Sequence, residues 1–233
     1  MKQEKVSCII AARNEAERIN SVLLVAFNHP LIDEIIVVQT FSTDNTSQTV
    51  KDFIKNHSAK NIKLIEDNKF PGKAYAMYLG VENSKNAVLL FLDADLNGLT
   101  KNNIDELVCP LTENKIDMTI GFMKDALWLY KLFNVDPICG QRSIKKDLFM
   151  KMPDCRYSKY GIESLQNDFL IASSKEIKIV KMPNVGQKRK YKKIGFFKGW
   201  LADIKMTKDI FSSVSIFKYT KMMVYLSKNA QRD

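Results

Sequence analysis

Residues 87–96 read AVLLFLDADL, and the fold is decided by how this stretch is read. Residues 87–92 form an apolar run without polar alternation, the pattern of a strand covered on both faces. Two carboxylates, Asp93 and Asp95, follow at once, with only Ala94 between them. An unpaired charge is costly to bury, so the strand surfaces at this point. At about 3.3 Å of rise per residue, the two acids would have Cα atoms roughly 6–7 Å apart and side chains on the same side. Such a pair can hold one hard divalent cation and leave its other positions to phosphate oxygens. Taken alone, a D-x-D is equally the pattern of a solvated strand-to-loop turn.

Upstream of this strand the chain alternates. Residues 6–11 are a first candidate strand. Ile19, Val22, Leu23, Ala26 and Phe27 then recur at helical spacing, and Pro30 closes that element. Residues 35–38 form a second strand. The segment STDNTSQTV supplies a turn and a helix cap at Asp44 or Thr46, with Val50, Phe53 and Ile54 on the buried stripe. Residues 62–65 form a third strand, and residues 73–82 a helix introduced by the turn at Pro71–Gly72. Continuous apolar strands separated by helices predict an α/β fold with a mainly parallel central sheet flanked by helices. In such sheets ligands bind beyond the carboxyl ends of the strands. Four polar segments gather there: ARNEAE (12–17), QTFSTDN (39–45), DNKFPGKA (67–74) and DAD (93–95). Neither G-x-G-x-x-G nor G-x-x-x-x-G-K-[ST] occurs in the chain, which argues against a dinucleotide oxidoreductase and a phosphate-loop NTPase.

With 233 residues and 45% apolar content, the chain can bury one large core or two smaller ones. No run reaches the roughly 20 apolar residues that span a bilayer. Residues 1–5 lead directly into a short apolar run without a cleavable-signal pattern, so a cytoplasmic protein is expected. Cys8, Cys109, Cys139 and Cys155 show no metal-ligand spacing and read as free thiols in a reducing compartment. Charge is uneven. Residues 1–174 hold 21 Lys+Arg against 22 Asp+Glu, hence −1, and residues 175–233 hold 15 against 4, hence +11. A uniformly basic nucleic-acid binder is therefore a poor description, and the tail needs its own account. Phe196, Phe197, Trp200 and Leu201 interleave with basic residues. Ile210, Phe211, Val214, Phe217, Met222, Met223 and Leu226 make an imperfect helical stripe beside Lys208, Lys218, Lys221 and Lys228. Residues 201–233 thus read as a basic amphipathic helical extension. It either lies on an anionic membrane at the cytoplasmic face or packs on the rest of the chain or on a second subunit.

The ordered segments resemble those of family 2 glycosyltransferases, GT-A-fold enzymes that use nucleotide-diphosphate sugars. There a first strand leads to an Asn-Glu pair, resembled by Asn14–Glu15 in CIIAARNEAERI. VVQTFSTDNT keeps the Ser42, Asp44 and Thr46 of a second signature, Gly72–Lys73 matches a "GK" segment, and Asp93–Asp95 matches the metal-binding DxD. The likeness is strong over about residues 4–122 and looser over 138–200. It implies a GT-A-like catalytic domain over residues 1–200, with a nucleotide-binding half (1–122) and an acceptor-side half (123–200). By the same resemblance, Ala12, Asn14, Glu15, Gln39, Gly72, Lys73, Asp93 and Ala94 bind the nucleotide. Asp93, Asp95 and Gln187 hold Mn2+ or Mg2+; Gly140, Gln141 and Arg142 meet the acceptor; Glu163 and Arg142 are catalytic.

Some positions depart from the family pattern. Gln39–Thr40 replace its acidic pair and Phe41 its glycine. Gln39 can still accept the N3–H of uracil through its amide oxygen, though without charge, so a UDP-sugar is the expected donor. Relatives often carry a late histidine as a further metal or diphosphate ligand. The two histidines here are His29 and His57, and Gln187 takes the expected place, with Lys188, Arg189 and Lys190 available to the diphosphate. Glu163 opens an amphipathic helix with Ile162, Leu165, Phe169 and Leu170 on its apolar positions, and Asp168 reads as a surface acid. An acid in a first helical turn is favoured even without chemistry. An inverting transfer needs a base for the acceptor, for which Glu163 is the candidate; a retaining transfer would use a diphosphate oxygen, and these residues are compatible with both. The expected partners are a nucleotide-diphosphate sugar, a hydroxyl or phosphate acceptor, an anionic membrane and, compatibly, a second copy in a homodimer, with no nucleic acid. Two other functions share these features. The departures suit a catalytically inactive glycan- or partner-binding relative. The sheet type suits a nucleotidyltransferase, disfavoured by the lack of a glycine-rich, basic phosphate loop.

Overall fold

The computed structural model describes residues 4–57, 61–113, 115–157, 161–187 and 216–229. Its first half alternates as β1 (Val6–Ala12), α1 (Ile19–Phe27), β2 (Ile32–Gln39), α2 (Thr46–Asn56), β3 (Asn61–Glu66), α3 (Lys73–Glu82) and β4 (Val88–Asp93). β1 lies between β2 and β4, parallel to both, and β3 extends the parallel set beyond β2. β2 begins three residues before the apolar run at 35–38 because a polar side chain is accommodated inside it. Glu34 is fully buried, and its Oε1 accepts from Ser7 Oγ at 2.6 Å and from the Lys85 backbone N–H at 2.7 Å. The expected cap of α2 is displaced. Asn45 occupies the N-cap position without a side-chain bond, while Asp44 accepts from the N–H groups of Thr46 and Ala16.

The second half comprises β5 (Leu96–Asn97), α4 (Lys101–Thr112), β6 (Met118–Met123), α5 (Trp128–Phe133), β7 (Arg142–Lys145), α6 (Lys146–Lys151), α7 (Ile162–Ala172), β8 (Ile177–Met182), β9 (Gly186–Gln187) and α8 (Ile216–Asn229). The main sheet runs β3-β2-β1-β4-β7-β6-β8. β7 is antiparallel to β4 and β6, whereas β8 is parallel to β6. The sheet is therefore mainly parallel, as expected, with β7 reversed. A separate ribbon pairs β5 with β9, placing Leu96 opposite Gln187.

α8 corrects part of the bilayer-facing stripe. Tyr219, Met222, Met223 and Leu226 are buried in the common core, and the Tyr219 hydroxyl lies 2.6 Å from that of Tyr130 on α5. This apolar face meets protein, because α8 closes over α5, α7 and β8. Residues 188–215, with Lys188, Arg189, Lys190, Phe196, Phe197, Trp200, Leu201, Lys208, Ile210, Phe211 and Val214, lie outside the described residues. No described helix is long and apolar enough to cross a membrane.

α3 packs on β1 through Gly80, where an added Cβ would overlap the Ile9 side chain. Ile9 is buried and branched at Cβ, so its Cγ2 methyl cannot swing aside. Alanine gains about 1 kcal/mol of helix propensity over glycine, and overpacking costs about 1–3 kcal/mol. Gly80→Ala is expected to lower the urea midpoint despite the better propensity; an unchanged or higher midpoint would show that the α3–β1 contact has slack.

Candidate active site

The site is organised around one ammonium group. α3 starts at Lys73, directly after Gly72, whose φ of 136° suits glycine. Lys73 Nζ lies 2.7 Å from Asp93 Oδ1 at the end of β4 and 2.9 Å from Glu163 Oε1 in the first turn of α7. Burial works against the ammonium, but Asp93 and then Glu163 outweigh it and raise the Lys73 pKa above the ordinary lysine range. The other Asp93 oxygen, Oδ2, accepts from Gln141 Nε2 at 3.0 Å and Gln187 Nε2 at 2.6 Å. Burial alone would raise the Asp93 pKa; Lys73, Gln141 and Arg142 hold it below the ordinary value. Gly140 closes the cluster. A Cβ there would collide with Lys73 Nζ and come within 2.6 and 2.7 Å of the Asp93 oxygens.

Asp95 is in the opposite electrostatic state. Burial first, and the Asp93 charge second, push its carboxyl above the ordinary range. Arg18 relieves this only from a distance, with Nη1 at 3.9 Å from Oδ2, because Glu15 also holds the guanidinium. Asp95 is thus a carboxylate short of compensating positive charge, and a cation fits there. Among the described residues no group of three or more His, Cys, Asp or Glu could enclose a metal. The donor set suits an ion that rests on one or two carboxylates and takes its remaining ligands from phosphate and water. Asp95 is the more available carboxylate, since both Asp93 oxygens already accept from Lys73, Gln141 and Gln187.

Asn14 and Glu15 tie two loops together. Asn14 takes a left-handed conformation at φ 58°; its N–H donates to Ser42 Oγ at 3.1 Å, and its Oδ1 accepts from the Thr43 N–H at 2.8 Å. The Glu15 N–H donates to Thr46 Oγ1 at 2.8 Å. These bonds account for Ser42 and Thr46 as loop anchors. Gln39 is buried at the end of β2, where its backbone carbonyl accepts from the Asp67 N–H. Ala12 and Ala94 are small buried residues at neighbouring strand ends.

The acceptor side needs correction. Gln141 and Arg142 are fully buried and do not line an acceptor pocket. Arg142 Nε donates to the Cys139 carbonyl at 2.9 Å. Nη1 donates to the Glu163 carbonyl, Gln166 Oε1 and Asn167 Oδ1, and Nη2 to the Pro137 and Cys139 carbonyls. With its donors so engaged, Arg142 cannot meet a reacting group; it fixes the start of α7 and hence Glu163. Gln141 likewise serves Asp93. Gly140 lies against Lys73 Nζ and the Asp93 carboxylate. Sequence reading missed Arg18, Asp125, Asp136, Gln166 and Asn167. Asp125 Oδ2 accepts from the Gln187 N–H at 2.7 Å and so sets β9. Asp136 is buried and pushed up to about 7, by burial above all and then by Glu163 and Asp125, against relief from the Ile138 N–H and Arg142. No local pattern marks these residues, whose roles come from partners distant in the chain.

A parallel βαβ half, a reversed strand and a strand-end D-x-D beside a half-buried Lys–acid cluster define the GT-A type of nucleotide-diphospho-sugar transferase fold. The chain belongs to glycosyl transferase family 2, whose family model matches residues 7–149. It is similar to 4,4'-diaponeurosporenoate glycosyltransferase of Staphylococcus aureus strain bovine RF122 / ET3-1, 29% identical over 107 residues, 45% of this chain and 28% of that protein. The counterpart from strain USA300 is 30% identical over 105 residues, 44% of this chain and 27% of that protein. The match therefore spans little more than a quarter of these curated relatives' length. Among solved structures, glucosyl-3-phosphoglycerate synthase from Mycobacterium tuberculosis with Mn2+, UDP and phosphoglyceric acid superposes with a TM-score of 0.71. It is 19% identical, and the match covers 94% of this chain and 78% of that one. The same synthase with Mg2+ and UDP gives 0.66 at 20% identity, covering 90% and 79%. At such identity the likeness shows the shared fold.

Two outcomes follow from this geometry. The folded protein keeps the Asp136 proton to about pH 7, whereas an unfolded aspartate releases it near 3.9. The folded state therefore binds more protons between these values, and this residue's contribution to stability falls as pH rises through that window. Asp136→Asn should gain roughly 2 kcal/mol more over wild type at pH 8 than at pH 5 in urea unfolding; an equal difference at both would refute the burial account. Gly140→Ala should force Lys73 from Asp93 and reduce nucleotide-diphosphate binding at least tenfold by calorimetry, with far-UV dichroism unchanged.

Proposed function

We propose that this protein transfers a sugar from a UDP-sugar to a hydroxyl or phosphate acceptor, with Mn2+ or Mg2+ at the strand-end carboxylates. The observation that carries this reading is the Lys73 ammonium, which joins donor-side Asp93 to Glu163 on α7. An ammonium has three donors, and with two engaged a third is left for a diphosphate oxygen. Gln39, at the end of β2, offers its amide oxygen to the uracil N3–H. A divalent ion resting on Asp95, with Asp93 and Gln187 beside it, would neutralise charge developing on the departing diphosphate.

Glu163 is the base in this reading, in the geometry of attack opposite the leaving diphosphate. It takes the proton of the acceptor hydroxyl as the oxygen bonds to the anomeric carbon. Arg142 positions it through the α7 backbone, and Lys73, 2.9 Å from its Oε1, directs it at the donor. The relatives support the donor class. The Mycobacterium tuberculosis synthase is described with UDP-glucose, Mn2+ and phosphoglyceric acid, and the Staphylococcus aureus relative is named for glycosyl transfer. Their acceptors differ, so the acceptor has to be sought with this chain itself.

Isothermal titration should show UDP binding that tightens on adding Mn2+. Asp95→Asn should remove the metal-dependent part, with a Tm close to wild type because the residue lies at a strand end. Glu163→Gln should retain UDP binding and lower sugar release from a UDP-sugar by about 10²-fold or more. No UDP binding with or without Mn2+ would overturn the proposal. Binding without turnover of any UDP-sugar would leave a ligand-binding relative instead.

A further inference from the structure

α5 turns three large apolar side chains outward: Trp128 is 74% exposed, Leu132 68% and Phe133 40%. Trp128 and Leu132 are four residues apart and share one face of the helix, with exposed Lys131 beside them. This is not a frayed end. On the opposite face Tyr130 is buried, and its hydroxyl lies 2.6 Å from that of Tyr219 on α8. Asn134, left-handed at φ 51°, closes the helix, and the Val135 N–H donates to the Tyr130 carbonyl at 3.1 Å. α8 buries Met222, Met223 and Leu226 and presents Lys221, Val224 and Lys228 on its outer side. The protein therefore holds an apolar, aromatic projection rigidly beside a basic helix face. Both adjoin the segment that leads through Asp136 to Gly140.

We propose that α5 and the outer face of α8 form a docking surface for an anionic lipid bilayer. Trp128, Leu132 and Phe133 enter the interfacial zone, and Lys131, Lys221 and Lys228 meet the headgroups. An exposed tryptophan beside leucine and lysine matches the boundary between headgroup and acyl chain. Charge selects this occupant over a second copy of the chain. α8 carries Lys218, Lys221 and Lys228 and no acidic residue, so it attracts an anionic surface. A two-fold contact through the same patch would bring one basic patch against another, a net repulsion. This surface differs from the α8 stripe read from the sequence, which faces the core. The inference stands apart from the sugar-transfer reading, since it concerns residues outside the Lys73 cluster.

The test is co-sedimentation of the full chain with phosphatidylcholine vesicles, with and without about one third phosphatidylglycerol, at low and high salt. Trp128 emission in a Trp200→Phe background, where it is the remaining tryptophan of the two, gives a second readout in near-native protein. Binding should require phosphatidylglycerol, weaken at high salt and be accompanied by a blue shift of Trp128. Trp128→Ser with Leu132→Ser should reduce the bound fraction at least fivefold with thermal midpoint and UDP binding unchanged. Lys221→Glu with Lys228→Glu should abolish the phosphatidylglycerol dependence. Unshifted Trp128 emission, or equal binding by the Trp128/Leu132 variant, would overturn the proposal. So would a dimer that this variant converts to monomer, because the patch would then serve self-association.

Discussion

Asp93 and Glu163 lie close together in a half-buried site, and two such carboxylates repel when neither has a counter-charge. Lys73 resolves this by standing between them at 2.7 and 2.9 Å. Much of the surrounding architecture follows from that position. Gly72 lets α3 begin with Lys73, Gly140 leaves room for the ammonium, and Arg142 holds the first turn of α7 where Glu163 can reach it. The same contact ties the parallel half of the sheet to α7.

Four acids of the region have the same chemistry and different fates, set by their partners. Asp93 is held ionised by an ammonium and two amides. Glu163 shares that ammonium and presents its carboxylate to the site. Asp95 is short of positive charge, with Arg18 at 3.9 Å, and so is suited to a cation. Asp136, buried behind Arg142, keeps its proton up to about pH 7. Two glutamines depart from the family pattern by replacing charged or metal-binding groups with amides. Gln187 is bonded directly to Asp93 at 2.6 Å, so the site retains a polar side chain at that place.

Strand and helix positions in the first half were legible because their apolar spacing is local. Ile19 to Phe27 forms α1 and Lys73 to Glu82 forms α3, as the periodicity and the Pro71–Gly72 turn indicate. β4 ends at Asp93, where the run meets its first charge. β2 extends beyond the apolar run at 35–38, which Asp33 and Glu34 bound in the sequence, because Glu34 is accommodated by Ser7 and Lys85 from other parts of the chain.

What the sequence by itself determined was the alternation of elements, the strand-end position of Asp93 and Asp95 and the Gly72–Lys73 helix start, together with the family likeness their order carries. Tertiary structure decided the reversal of β7 and the β5–β9 pairing, which brings Gln187 across 94 positions to Asp93. It also decided that Arg142 is a buried support, and that Met222, Met223 and Leu226 face protein while Trp128 and Leu132 face outward. Periodicity shows that a helix has an apolar side, but the surface that covers this side is chosen by packing between distant segments. An arginine or glutamine likewise carries the same donors in any sequence, and only the enclosing fold determines whether protein or ligand takes them up.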